Sequence, residues 1–138
     1  RIEYEKSLTP EEYNKLEEKI NWNMLSFNPN AIELLKENQD KINWEYLSQN
    51  PNAIDLLKEN KDKIDWEWLS TNPNAIKLLK ERIEDENSLT TEELDKLENK
   101  IDWEWLSSNS NAIKLLTENI DKINWFVLSS NPAIFKPE

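Results

Sequence analysis

Acid–base chemistry in this sequence would have to come from its 28 carboxylates, because the chain has no histidine and no cysteine. Three groups stand close together: Glu11 with Glu12, Glu92 with Glu93, and the run Glu84, Asp85, Glu86. Neighbouring carboxyls can divide into a general acid and a general base, or gather a hard cation. The two pairs, however, follow Thr9 and Thr90 at what reads as the opening turn of a helix, where negative charge is favourable beside unpaired N–H groups. The run 84–86 reads as a solvated loop. Serines recur at Ser26, Ser48, Ser70, Ser107 and Ser129, but a hydroxyl needs a base to take its proton before it attacks, and no imidazole is present. The same absences remove thiolate and imidazole metal sites, and without glycine there is no Gly-rich phosphate loop. The residues predict a protein that is not an enzyme and needs no cofactor or metal.

Aromatic residues are the better candidates for recognition. Trp22, Trp44, Trp66, Trp103 and Trp125 occupy one recurring position, and Met24, Tyr46, Trp68, Trp105 and Val127 lie two residues on. The constant tryptophans suit a ladder packed beside a core. The variable apolar position suits a contact surface, and next to it run Asn23, Glu45, Glu67, Glu104 and Phe126. The candidate partner surface is therefore Tyr46, Trp68 and Trp105 with an acidic rim of Glu45, Glu67 and Glu104. Seventeen basic against 28 acidic residues leave a net charge of -11, which repels a phosphate backbone and favours a protein partner with a basic surface over nucleic acid.

Both columns exist because the chain repeats. Asn28, Asn50 and Asn72 stand 22 residues apart, Asn109 and Asn131 repeat the step, and the interval from Asn72 to Asn109 is 37, or 22 plus 15. The surplus belongs to a larger copy: "RIEDENSLTTEELDKLENKIDW" from Arg82 matches "RIEYEKSLTPEEYNKLEEKINW" from Arg1 at an offset of 81. In each unit the first half reads as a helix capped by asparagine, Asn50 with Pro51 at the first position, and Ala53, Ile54, Leu56 and Leu57 on one face. It should stop near Asn60, which tolerates the left-handed backbone that ends helices. The second half starts again at Asp65, with Ile64 and Leu69 spaced as a hydrophobic staple, and is short enough to be partly 3₁₀. Asn21, Asn43, Asp102 and Asn124 are the equivalent caps. Thr9 with Glu12 and Thr90 with Glu93 have the pattern of a capping box. Tyr13 with Leu16, and Leu94 with Leu97, form the inward stripe of those helices.

The expected architecture is an all-α solenoid of short two-helix repeats with a 22-residue period. Its units cover about 1–27, 28–49, 50–71, 72–108 with a 15-residue insertion, and 109–130, with a terminal cap at 131–138. Phe126 and Phe135 depart from the repeat and are placed to cover the last apolar face. The chain opens on Arg1 rather than methionine, which leaves room for further repeats before it.

The core "INW..LS.NPNAI.LL" resembles the short tandem helical repeats of uncharacterised giant DNA virus proteins, over nearly the whole chain. The pairing of two short helices through "LS.NP" is also similar to leucine-rich-variant repeats, which form a curved helical solenoid. The first resemblance implies an interaction module of unassigned role and carries over no catalytic residue. No apolar run reaches the length of a membrane span, so a cytoplasmic protein is expected, in host cytoplasm or virion if viral. The function expected is a non-catalytic scaffold for protein–protein interaction. The alternative is a structural, self-assembling component of a larger, viral particle, with Phe27 and Phe126 as self-contact positions.

Overall fold

The computed structural model describes residues 8–135. Among them every regular element is helical, and no strand is present. The α-helices are α1 (Pro10–Lys19), α2 (Trp22–Ser26), α3 (Ile32–Glu37), α4 (Trp44–Ser48), α5 (Ile54–Lys58), α6 (Trp66–Leu69), α7 (Ile76–Asn87), α8 (Thr91–Lys96), α9 (Trp103–Ser108), α10 (Ile113–Thr117) and α11 (Trp125–Leu128). Single 3₁₀ turns lie at Gln39–Lys41, Lys61–Lys63 and Ile120–Lys122. No helix among the described residues is long and apolar enough to cross a membrane.

Helices of four to six residues do not persist on their own, so their ends have to be held. The helices that begin at a tryptophan are held as the sequence predicts. The side-chain oxygens of Asn21, Asn43, Asp65, Asp102 and Asn124 each accept the N–H three residues on, at 2.8–3.1 Å. Both capping boxes form, Thr9 with Glu12 and Thr90 with Glu93. The 3₁₀ turn, however, precedes this second helix instead of forming part of it.

The asparagines before proline act differently from the expected N-caps. Asn50, Pro51, Asn52 and Ala53 make a turn closed by the Ala53 N–H on the Asn50 carbonyl at 3.1 Å, and the helix begins only at Ile54. The Asn50 side chain is engaged in bridging. Its oxygen accepts the Asn52 N–H, while its Nδ2 donates to the carbonyls of Ser26 and Asn28, each at 3.0 Å. Asn72 does the same to Ser48 and Asn50, Asn109 to Ser70 and Asn72, and Asn131 to Ser107 and Asn109. Asn52, Asn74 and Asn111 add a further bond each, to the carbonyls of Pro29, Pro51 and Pro73. The helix-ending asparagines also depart from expectation. Asn38, Asn60 and Asn119 have φ near -135° and not a left-handed backbone, and each turns its amide back onto a carbonyl four residues earlier.

Serine completes the set of bridges. Ser48 Oγ donates to the Trp44 carbonyl at 2.7 Å and accepts the Asp65 N–H at 3.0 Å. Ser26, Ser70 and Ser107 repeat both bonds, to Asn43, Asp102 and Asn124 respectively. These polar side chains are enclosed, and no buried side-chain nitrogen or oxygen lacks a partner among the described residues. Around them lies one apolar core in which Leu47, Leu57, Leu69, Leu79, Leu106 and Leu116 are wholly enclosed. Helix α4 packs against α2 and α6, and α11 against α9.

Two further expectations are corrected. The run 84–86 is the end of α7, not a loop, because Arg82 stands where Asn38, Asn60 and Asn119 stop their helices. Glu86 there is only 6% exposed and accepts from Arg82 Nε at 2.9 Å and from the Ile101 N–H at 3.0 Å. Phe126 and Phe135, expected to cover the last apolar face, are instead 90% and 95% exposed. In the amino-terminal helix Tyr13 is buried but Leu16 is exposed, and Leu94 and Leu97 are half-buried. Residues 136–138 of the expected cap and 1–7 of the first unit lie outside the described residues.

Candidate functional site

The predicted contact surface is carried by helices α4, α6 and α9. The caps Asn43, Asp65 and Asp102 bind the N–H groups of Tyr46, Trp68 and Trp105, which fixes where each of the three aromatic residues leaves the backbone. Of these the structure brings two together: Trp68 and Trp105 lie with ring centroids 4.4 Å apart at 47°, a tilted pair in close contact at the short edge of the spacing that aromatic pairs favour. The bond between the Asp102 N–H and Ser70 Oγ ties their helices at 3.0 Å, so the pair forms across the 15-residue insertion. Trp68 also donates its indole N–H to Glu45 Oε1 at 2.7 Å. Glu45 is thus a fixed acceptor, while Glu67 and Glu104 are exposed. Tyr46 is half-buried and makes no ring contact with Trp68 or Trp105 among the described residues.

The tryptophan column is less deeply buried than expected. Trp66 is enclosed, Trp22, Trp44 and Trp103 are half-buried against the core, and Trp125 is 57% exposed. Four of them carry a cation over the ring: Lys41 over Trp22, Lys63 over Trp44, Arg82 over Trp66 and Lys122 over Trp103, at 4.9–5.3 Å. Such contacts contribute about 0.5–1 kcal/mol each at partly exposed sites. For Lys41, Lys63 and Lys122 the signal was present in the sequence as the lysine of "DKINW" or "DKIDW", three residues before the next tryptophan, but its target is the ring of the preceding unit; Arg82 has no such motif.

The other chemical candidates reduce to structure. Glu93 is held below the ordinary carboxylate range first by the Thr90 N–H and then by the Thr90 hydroxyl, the bonds of a helix cap. Glu86 serves α7 and the backbone of Ile101, and the recurrent serines serve as bridges. No group of carboxylates among the described residues is placed to hold a metal ion. The two hollows of note lie elsewhere: an apolar cavity of about 230 Å³ beside Trp125, Leu128 and Ile134, and a groove of about 380 Å³ along α1 between Leu8, Lys15 and Lys19. No protein-family model, no curated protein and no solved structure matches this chain.

Proposed function

We propose that the chain is an α-solenoid of stacked 22-residue units, and that it works as a non-catalytic scaffold presenting an aromatic face to a protein partner. Support for the stacking comes from bridges that reach back 22 and 24 residues from Asn50, Asn72 and Asn131. The same bridges from Asn109 span 37 and 39 residues, stepping over the insertion. The kinship proposed with the repeats of giant DNA virus proteins fits this reading, and the exposed Phe126 and acidic surface suit a component of a larger assembly.

The observation that carries the binding reading is the Trp68 and Trp105 pair, half-buried and anchored on Glu45, with the exposed Glu67 and Glu104 on the same helices. A rigid aromatic anchor with an acidic rim fits a lysine- or arginine-rich segment, whose cations meet both ring faces and carboxylates. Titration of the chain with a basic peptide, followed by tryptophan fluorescence, tests this. Binding should weaken with added salt and fall at least about tenfold in the Trp105→Ala variant. Equal response to an acidic peptide, or unchanged binding in Trp105→Ala, would refute the assignment.

A further inference from the structure

Each internal boundary between successive units is closed by a serine bridge, an asparagine bridge to two carbonyls and a cation over a tryptophan, and among the described residues the two ends carry the two halves of that set with nothing opposite them. At the carboxyl-terminal end Ser129 Oγ donates to the Trp125 carbonyl like its counterparts, yet no N–H among the described residues reaches it. The carbonyls of Ser129 and Pro132 accept no hydrogen bond among the described residues, and that of Asn131 takes only the Ile134 N–H. Among the described residues Trp125 alone in its column has no cation over it, and the apolar cavity of about 230 Å³ opens beside it. At the amino-terminal end the Asn21 N–H and the side-chain amides of Asn28 and Asn30 donate to nothing among the described residues. Their counterparts one unit on, Asn43, Asn50 and Asn52, all do.

We propose that copies of this chain associate head to tail, the amino-terminal face of one closing the carboxyl-terminal face of the next. In the register of the internal boundaries, Asn28 of the second copy bridges the carbonyls of Ser129 and Asn131, Asn30 reaches Pro132, and Asn21 donates its N–H to Ser129 Oγ. The apolar contacts match as well. Met24, 59% exposed, meets Phe126, 90% exposed, at the place where Trp68 meets Glu45 inside the chain. The contact is heterologous, joining two different faces, so it propagates into linear oligomers and does not stop at a symmetric dimer. This inference rests on the stacked-unit reading and is independent of the aromatic partner face.

Sedimentation equilibrium of the 138-residue chain tests it. The average mass should climb with concentration past that of a dimer, and more steeply at higher salt, because each copy carries a net charge of -11 and salt screens the repulsion. The pair Asn28→Ala with Asn30→Ala, at exposed positions, should weaken association by about five- to tenfold per lost bridge, and Trp125→Asp should abolish it. Mixed one to one, these two blocked variants should recover a single heterodimer through their intact ends. A chain that stays monomeric at every concentration and salt, or blocked variants that assemble like the parent, would overturn the inference. A monomer that still loses stability on Asn72→Ala refutes the association alone, whereas indifference to Asn72→Ala refutes the stacking beneath it.

Discussion

Residues 9–22 and 90–103 begin in the same way and finish differently. Both open on a threonine capping box and both lead into a capped tryptophan helix. In the amino-terminal copy the first helix runs ten residues, Pro10–Lys19; in the internal copy it runs six, Thr91–Lys96, and the chain leaves the helix at Leu97 with ψ 114°. The difference is what lies opposite. Internally, Asn99 donates its amide to the Ile64 carbonyl at 2.8 Å and accepts the Trp66 N–H at 2.7 Å, while Arg82 Nη2 donates to the Asn99 carbonyl. Lys100 Nζ donates to the Leu94 carbonyl, which also accepts the Leu97 N–H at the end of the shortened helix. At the amino terminus Glu18 stands in place of Asn99, a better helix former with no amide to offer. A full helical turn is given up where tertiary partners satisfy the backbone and kept where they do not.

The largest effect that separates the copies should come from Glu86, whose carboxylate joins Arg82 and the Ile101 N–H behind the internal copy. Glu86→Ala leaves both donors unmatched in a buried place and should cost about 3 kcal/mol in denaturant unfolding. A loss below about 1 kcal/mol would mean that the internal copy is held by other contacts. Next comes the bridge that closes each boundary. Asn109→Ala strips two carbonyls and the Asn111 N–H of their partner and should cost about 2 kcal/mol, whereas Asn28→Ala, exposed and bridging nothing, should stay within about 0.5 kcal/mol of the parent. Equal costs would erase the distinction between the internal and terminal faces.

What could be read from the sequence was what local chemistry determines. The tryptophan-helix caps at Asn21, Asn43, Asp65, Asp102 and Asn124 and both capping boxes follow from residue type three positions from a helix start, and all formed. The pattern fails wherever a side chain has a choice of partner. Asn50 has cap chemistry and sits before proline, but its oxygen accepts the Asn52 N–H two residues on while its amide bridges two carbonyls of the preceding unit, and the helix starts only at Ile54. Glu86 reads as loop because charge runs are usually solvated, yet one substitution upstream, arginine for asparagine at position 82, lets α7 continue and carries the carboxylate inside. The serines showed their positions by recurrence but not their partners, since those lie in the next unit. Of the aromatic face, spacing indicated the shared position of Trp68 and Trp105; the anchoring by Glu45 and the separation of Tyr46 depend on side-chain geometry that no period encodes.

Among the positions at which the copies differ, exchanging the one that bonds Ile64 and Trp66 sharpens the comparison further. Asn99→Glu removes the donor to Ile64 and puts a carboxylate beside that carbonyl, and should cost about 1–2 kcal/mol. The reverse change, Glu18→Asn, loses only helix propensity at the end of α1, a few tenths of a kcal/mol, roughly. Circular dichroism should show α1 fraying in the second variant and no gain of helix in the first. Helix gained on Asn99→Glu would mean that local propensity, not the bonds to Ile64 and Trp66, decides where α8 stops.

The smallest effect is electrostatic and belongs to the start of the internal copy. The Thr90 N–H and hydroxyl favour the ionised form of Glu93 and hold its carboxyl below the ordinary range. Because the folded state lowers this value, the stabilisation is present above the unfolded-state carboxylate range and disappears as pH falls through the lowered folded value. Glu93→Gln keeps the accepting oxygen of the capping box and removes the charge. The variant should therefore be slightly less stable than the parent at neutral pH, with the gap closing as the solution is acidified below the carboxylate range. A gap that stays constant with pH would show that Glu93 acts through the geometry of its hydrogen bond alone, and that its charge contributes nothing to starting the helix.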